Sequence, residues 1–445
     1  MDRNQSQVAP KELLSVTDGI FLTIGMVVGV GIFKLPSMIA GNTSSATEFL
    51  LAWVLGGVIS LCGALVYAEL AARHPDTGGE YTFLSRGLGN GAAFVFAWSR
   101  MTVIQTGAIV AVAFAFGDYA SEILRLGDKS SAIWAAIAVI ALTALNLAGT
   151  VQSKTLQKVM EIVLIAALVL LALGALAVGG TPKPAPEKLA GPGFGLAMIF
   201  VLFTYGGWNE AAYLAGEVRD ARRNMLKILV VGILSVTALY LLVNIAYVLA
   251  LGLGGMRESK AVAADLMRAI AGDKAVVLLA LVVCVSALTT MNAAVFTGAR
   301  TNWALGRDFG LFGFLGNWRD KGSTPANALL LQGAVMLVLV AAGSMTPDGF
   351  SAMVAYTAPV FWTFFLLTGI TLFVFRARGG EPPAVKAPLH PVVTLVFCAM
   401  CAYMLYSSID YIRNPHFGPK FGNMVLAGLL VMAAGIPLYF FARKK

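Results

Sequence analysis

Charge is what this sequence has least of. Asp, Glu, Lys and Arg make up 12% of its 445 residues, about half the share of an ordinary soluble domain. Histidine is scarcer still. His74, His390 and His416 are the only three, they lie at the edges of apolar stretches, and they are far apart in sequence. The four cysteines, Cys62, Cys284, Cys398 and Cys401, all lie inside apolar stretches. Cys398 and Cys401 have CxxC spacing but no His or acidic neighbour, so packing accounts for them better than zinc or redox chemistry. There is no HExxH and no paired-aspartate motif of an intramembrane protease, so a membrane-embedded enzyme lacks a reactive cluster and is disfavoured. No catalytic residue, metal site or cofactor is expected. No repeated filter-like loop points to a channel. The net charge of +9 is spread over short loops and a tail, with no basic domain for nucleic acid.

Apolar residues, by contrast, are 58% of the chain. They form about 12 runs, near 18–40, 46–72, 91–120, 132–149, 155–179, 194–216, 226–252, 273–303, 326–343, 350–376, 390–412 and 421–441. Most approach or exceed the ~20 residues needed to cross ~30 Å of hydrocarbon. The expected fold class is an all-α integral membrane protein with lipid around it. A short polar tail, MDRNQSQVAPKELLS, leads straight into the first run, so no cleavable signal peptide is expected. Loops on one side carry roughly 20 Lys and Arg against roughly 10 on the other, which predicts both termini in the cytoplasm of a plasma (inner) membrane.

Two runs contain interruptions. The first holds Gly29-Val30-Gly31 followed by Ile32 and Phe33. Each such glycine weakens a helix by roughly 1 kcal/mol relative to alanine. In lipid, a broken helix is tolerated where the freed backbone groups face protein, water or a ligand. Amides at the start of a second half-helix suit a carboxylate; close packing of two helices at a glycine seam is the alternative. The sixth run holds Phe203-Thr204-Tyr205-Gly206-Gly207-Trp208-Asn209-Glu210. Its glycine pair predicts a second break five spans after the first, with Tyr205 and Trp208 either as walls of a pocket or as ordinary packing aromatics. Paired interruptions of this kind predict an inverted repeat with the site between its halves: helices 1–5 in residues 1–180, helices 6–10 in 181–380, and two extra helices in 381–445. Ser286, Thr289 and Thr290 either line a cavity or allow close packing. Glu69 and Arg73, four apart, are spaced to pair on one helical face. The mixed-charge stretch 217–225 is a solvated loop or a gate of ion pairs.

The GVGIF break, the YAEL…P.TGGEY loop, the FTYGGWN break and the GEVRDARRN loop together resemble the amino acid–polyamine–organocation (APC) superfamily of permeases. They are closest to bacterial relatives of the L-type amino acid transporters, and the resemblance runs over nearly the whole chain. It implies two inverted five-helix repeats with helices 1 and 6 unwound, a free amino acid as partner, and alternating access as exchanger or uniporter. It implies that the substrate carboxylate meets the amides of Val30 and Gly31. The ammonium would meet carbonyls near Val27 and Val28 and near Phe203 and Gly206, with Phe203 as a lid. No auxiliary subunit is expected. Neither break has an acidic residue at its centre, which favours small or medium neutral amino acids; a proton-coupled symporter or a polyamine or amine transporter is the alternative.

The chain also departs from the family. Val30 stands where serine is frequent, and Ala221 and Met225 where proline is frequent. In span 5, aligned through Asn146, Gly149 and Gln157, Leu164 replaces the lysine of sodium-independent members and Glu161 stands one turn earlier. A charged carboxylate at mid-membrane costs roughly 2.5–3.5 kcal/mol. Glu161 is therefore either paired structurally, with Arg100 of span 3 as the expected partner, or a group that titrates during transport. Lys34 either faces the outer vestibule or pairs with a carboxylate. Arg100, Glu161 and Lys34 are the candidate coupling or gating residues.

Overall fold

A computed structural model of the chain describes residues 15–74, 78–149, 154–184, 193–214, 218–319, 324–379, 383–413 and 419–442. The N-terminal tail, the Pro75 turn, Glu217, His416, the last three residues and the side chain of Gln157 lie outside the described residues. Every regular element among the described residues is helical. The chain runs through α1 (Val16–Val27), α2 (Gly31–Gly41), α3 (Ala46–Arg73), α4 (Gly79–Leu88), α5 (Asn90–Ser99), α6 (Gln105–Ile123), α7 (Ser130–Leu147) and α8 (Lys154–Val178). It continues through α9 (Phe194–Thr204), α10 (Ala221–Glu258), α11 (Val262–Ala271), α12 (Asp273–Asp308), α13 (Ala326–Gly343), α14 (Gly349–Arg378), α15 (Val392–Arg413) and α16 (Pro419–Phe441).

Ten of these stretches are long and apolar enough to cross a bilayer, counting α5 and α6 as one, and α1 with α2 forms an eleventh that bends by 49°. The remaining expected span, the sixth at 194–216, is not one continuous helix. It is the 11-residue α9 followed by a 3-10 turn over Trp208–Leu214. The short helices α4 and α11 fall in stretches read from sequence as loops.

Local chemistry explains the starts. Ser15 and Asp18 form a reciprocal capping box on α1, Ser45 accepts from the Glu48 amide ahead of α3, and Asp348 accepts from the Ser351 amide ahead of α14. The surface is apolar where a soluble protein would be polar: Leu170, Val338 and Leu278 are each at least 66% exposed, whereas Trp53, Tyr67 and Phe49 are fully buried. That distribution suits a hydrocarbon solvent. Connections are short, so successive spans alternate in direction. We call the end where α1 begins the near end and the end where α2 stops the far end. The starts of α5 and α8 and the finish of α12 are at the near end; the finish of α6 and the start of α14 are at the far end.

Candidate functional site

The first break spans Val28–Val30. The Val28 amide still donates to Ile24 O (2.7 Å), and the next backbone bond is Phe33 N–H to Val30 O (3.1 Å). Between them the amides of Gly29, Val30 and Gly31 have no acceptor among the described residues. Gly31 opens α2, so these donors sit at the positive end of a half-helix. The second break follows Thr204. Gly206 N–H turns back to Phe203 O (3.0 Å), and Gly207 has φ +111°.

The two breaks touch. A Cβ on Gly207 would lie 2.2 Å from the carbonyl oxygen of Met26, and one on Gly31 would lie 3.3 Å from Thr204 Cγ2. Only glycine lets backbone meet backbone so closely at a positive φ. Buried Tyr240 of α10 closes the junction: its hydroxyl is 2.9 Å from Val27 O and 3.1 Å from Thr204 O, the final carbonyls of α1 and α9. Tyr247 reaches Ile32 O (3.3 Å) and Tyr119 reaches Phe33 O (2.8 Å). The terminal carbonyls of α1 and α9 thus meet the Tyr240 hydroxyl, and Tyr247 meets Ile32 O, the carbonyl that Pro36 leaves without an amide donor inside α2, as low-dielectric surroundings demand. Sequence reading missed these tyrosines; the seven-residue spacing of Tyr240 and Tyr247, which puts them on one helical face, was the available signal.

Beside the breaks lies a cavity of about 960 Å³. Val27, Val28, Gly29, Val30, Gly31, Phe203, Gly206 and Gly207 all line it. The glycines are partly exposed, whereas Val27, Val28 and Val30 are buried. A Cβ on Gly29 would meet nothing within 4 Å, so this residue faces the void. Ser286, Thr289 and Thr290 of α12 line the opposite side. The lining continues through Asp18, Phe21, Glu161 and Phe296, so the cavity runs from the breaks toward the near end. Phe203 meets Phe350 edge-on, with centroids 5.9 Å apart.

For Tyr205 and Trp208 the packing alternative holds, which corrects the assignment of Trp208 to the substrate. Trp208 does not line this cavity. It is 3% exposed, its ring packs against Tyr67 (5.0 Å) and Phe365 (5.6 Å), and it fills the space above Gly63. Tyr205 is fully buried and bonds Trp53 O at 3.0 Å. The positive φ at Gly207 swings the chain so that both rings enter the core, where their area is removed from water.

Arg100 reaches the cavity through a π-helical turn over Arg100–Ile104 between α5 and α6. Such turns re-aim side chains and recur at functional sites. Its guanidinium is 3.0 Å from Glu210 and 3.9 Å from Glu80. Glu80, at the start of α4, also accepts from Tyr67 (2.6 Å) and Asn209 (3.3 Å). Arg100 therefore gains two carboxylate partners that sequence reading did not name; the partner it did name, Glu161, also lines the cavity. The Glu161 carboxyl sits in a notch at Gly25 of α1, where a Cβ would fall 2.1 Å from its Cδ. Lys34 does not line the cavity. It is buried and pairs with Asp118 and with Asp348 (3.0 Å).

Outside the cavity, Glu69 is fully buried and accepts from Arg73 (2.9 Å), Arg376 (2.5 Å) and the Ala387 amide (2.7 Å). The expected helical pair thus also ties α3 to α14. Arg223 and Asp220 approach only to 3.9 Å and are both exposed, the solvated form of that loop.

A cavity built on two touching helix breaks invites comparison with known proteins. The chain is 27% identical over 402 residues to the b(0,+)-type amino acid transporter 1 of Mus musculus, covering 86% of this chain and 80% of the relative. It is 26% identical over 448 residues to the serine/threonine exchanger SteT of Bacillus subtilis, covering 98% of each. It is 27% identical over 454 residues to the large neutral amino acids transporter small subunit 2 of Homo sapiens, covering 97% of this chain and 81% of the relative. The family model for amino acid permeases matches residues 14–434. With that match running from the first broken helix to the last span, the chain belongs to the amino acid permease family, within the APC superfamily its motifs resemble.

Proposed function

We propose that this protein exchanges free amino acids across the membrane by alternating access. The observation that carries the reading is the meeting of two helix breaks at one cavity. A zwitterion needs a positive and a negative helix end within a few ångströms, and two abutting half-helices supply both. The unpartnered amides of Gly29, Val30 and Gly31 face the substrate carboxylate. The carbonyl ends of α1 and α9, at Val27, Val28, Phe203 and Gly206, face its ammonium, with Tyr240 holding them in register. Phe203 closes over the bound molecule. Residues 1–180 and 181–380 act as the two inverted repeats that rock against each other, with 381–445 outside them. The near end is the cytoplasmic face of the plasma membrane, both termini lie there, and the protein works without an auxiliary subunit or catalytic chemistry.

Small or medium neutral L-amino acids remain the favoured cargo because no charge stands at the centre of either break. A second reading, cationic amino acids or polyamines, is favoured by the wider lining, which carries Asp18, Glu80, Glu161 and Glu210 as well as Arg100. The test is uptake into proteoliposomes of purified protein, with a panel of radiolabelled alanine, serine, leucine, arginine and putrescine. Exchange predicts efflux of labelled substrate that accelerates when unlabelled substrate is added outside. Saturable uptake of no panel member would sink the transport reading, and conversion of a bound compound to a new product would replace it with an enzyme.

A further inference from the structure

The cavity has its mouth toward the near end, so something must close the far end. The structure shows what stands there. Lys34 lies on α2, the half-helix beyond the first break. Its ammonium is shared by Asp118, near the finish of α6, and Asp348, the N-cap of α14. The three residues come from three separate spans, and all lie on the far side of the breaks. Directly beneath them, Lys34 Nζ is 5.5 Å from the Phe350 ring centroid. Phe350 in turn meets Phe203, which lines the cavity. Phe350 lines the cavity as well, so the layers from the void to the far surface are the Phe203–Phe350 pair and then the ionic cluster.

We propose that the Lys34–Asp118–Asp348 cluster is the latch that holds the far gate shut. Substrate passing from the far end to the breaks has to move between α2, α6 and α14, which is where the cluster ties them together. Its burial is graded. The Lys34 side chain is 5% exposed, but those of Asp118 and Asp348 are 20% and 32% exposed. A fully buried ion pair is costly to form and costly to break, whereas a cluster at the edge of water exchanges its internal bonds for hydration as the helices part. The far gate is thus a two-state element, held shut by the ion pairs and open when their groups are hydrated.

The inference rests on the alternating-access reading above, but its test needs no substrate. Ala108 lines the cavity, so Ala108→Cys provides a reporter thiol. Its labelling by a membrane-impermeant maleimide is measured from each face in vesicles of known orientation, against the protein without that thiol. Asp348→Asn preserves shape and the Lys34–Asp118 pair while removing the leg to α14; Asp118→Asn does the converse. Each should raise far-face labelling relative to near-face labelling by about fivefold or more, as expected for loss of a coupling contact. Unchanged ratios in both folded variants would overturn the latch. If neither variant folds, a cross-link decides. Ser351 Oγ is 3.1 Å from Met38 Sδ, so a short, reducible bis-methanethiosulfonate cross-linker between Met38→Cys and Ser351→Cys should clamp α2 to α14. The clamped protein should lose far-face labelling and regain it on reduction; persistent far-face labelling would overturn the proposal. Failure of the amino acid uptake panel would leave these labelling results standing, so the two readings fail separately.

Discussion

Gly29 and Gly207 mark the two breaks, and the structure predicts opposite outcomes for the same kind of substitution. At Gly29 an added Cβ meets nothing within 4 Å, whereas at Gly207 it lands 2.2 Å from Met26 O with φ at +111°. Gly29→Ala should leave folding intact or strengthen it by about 0.4–1 kcal/mol, because the unfolded chain loses freedom while the native chain loses no contact. Gly29→Leu should fold as well, since its side chain extends into the 960 Å³ cavity. It should, however, cover the amides proposed to meet the substrate carboxylate. Losing one hydrogen bond to a charged group costs about 1.5–3 kcal/mol, or roughly 10- to 150-fold in affinity. Gly207→Ala carries about 1–3 kcal/mol of backbone strain, plus a clash with a backbone oxygen that no rotamer relieves. It should therefore lower the melting temperature and push the two breaks apart. The assay is thermal stability in detergent alongside uptake in proteoliposomes. A Gly29→Leu protein that transports like the parent, or one that melts as early as Gly207→Ala, would refute the assignment of these two glycines to void and junction.

Three further outcomes follow from the same geometry. Phe203→Ala should slow exchange more than it weakens equilibrium binding, because closure over the substrate is a conformational step; a strictly proportional loss of both would remove its role as a lid. Tyr240→Phe takes the donor from Val27 O and Thr204 O and should cost about 1–3 kcal/mol of stability, read as a lower melting temperature and weaker binding; a variant indistinguishable in both would show that the junction does not depend on the hydroxyl. Glu161→Gln should fold and exchange substrate but lose the pH dependence of uptake if Glu161 is a proton-linked group; a stable variant with the parent's pH profile would dismiss that role.

Much of this molecule was local information. Apolar run length placed the long spans to within a few residues, because the hydrocarbon thickness imposes a fixed minimum length. Both breaks were visible as glycines inside apolar runs, since a helix interruption needs only its own residues. Eight of the nine residues assigned to the substrate by motif and resemblance line one cavity. The exception is Trp208, whose direction is set by the dihedral of Gly207 and not by its own place in the motif. Other features arise only when distant spans meet. The partners of Lys34 are 84 and 314 residues away, and no spacing rule links them. Arg100 was read against Glu161 and without Glu80 and Glu210 as partners, because those carboxylates come from α4 and from the turn after α9 and reach it only in the folded bundle. The Tyr240 hydroxyl bridges two chain ends that are neighbours only in the folded bundle. The sequence by itself determined the class, the spans and the positions of the breaks, through periodicity, transfer free energy and glycine's weak helix propensity. Only the tertiary structure decided which side chains face the void, which carboxylate each cation meets, and which end of the bundle is shut, because each depends on the azimuth of one helix against another.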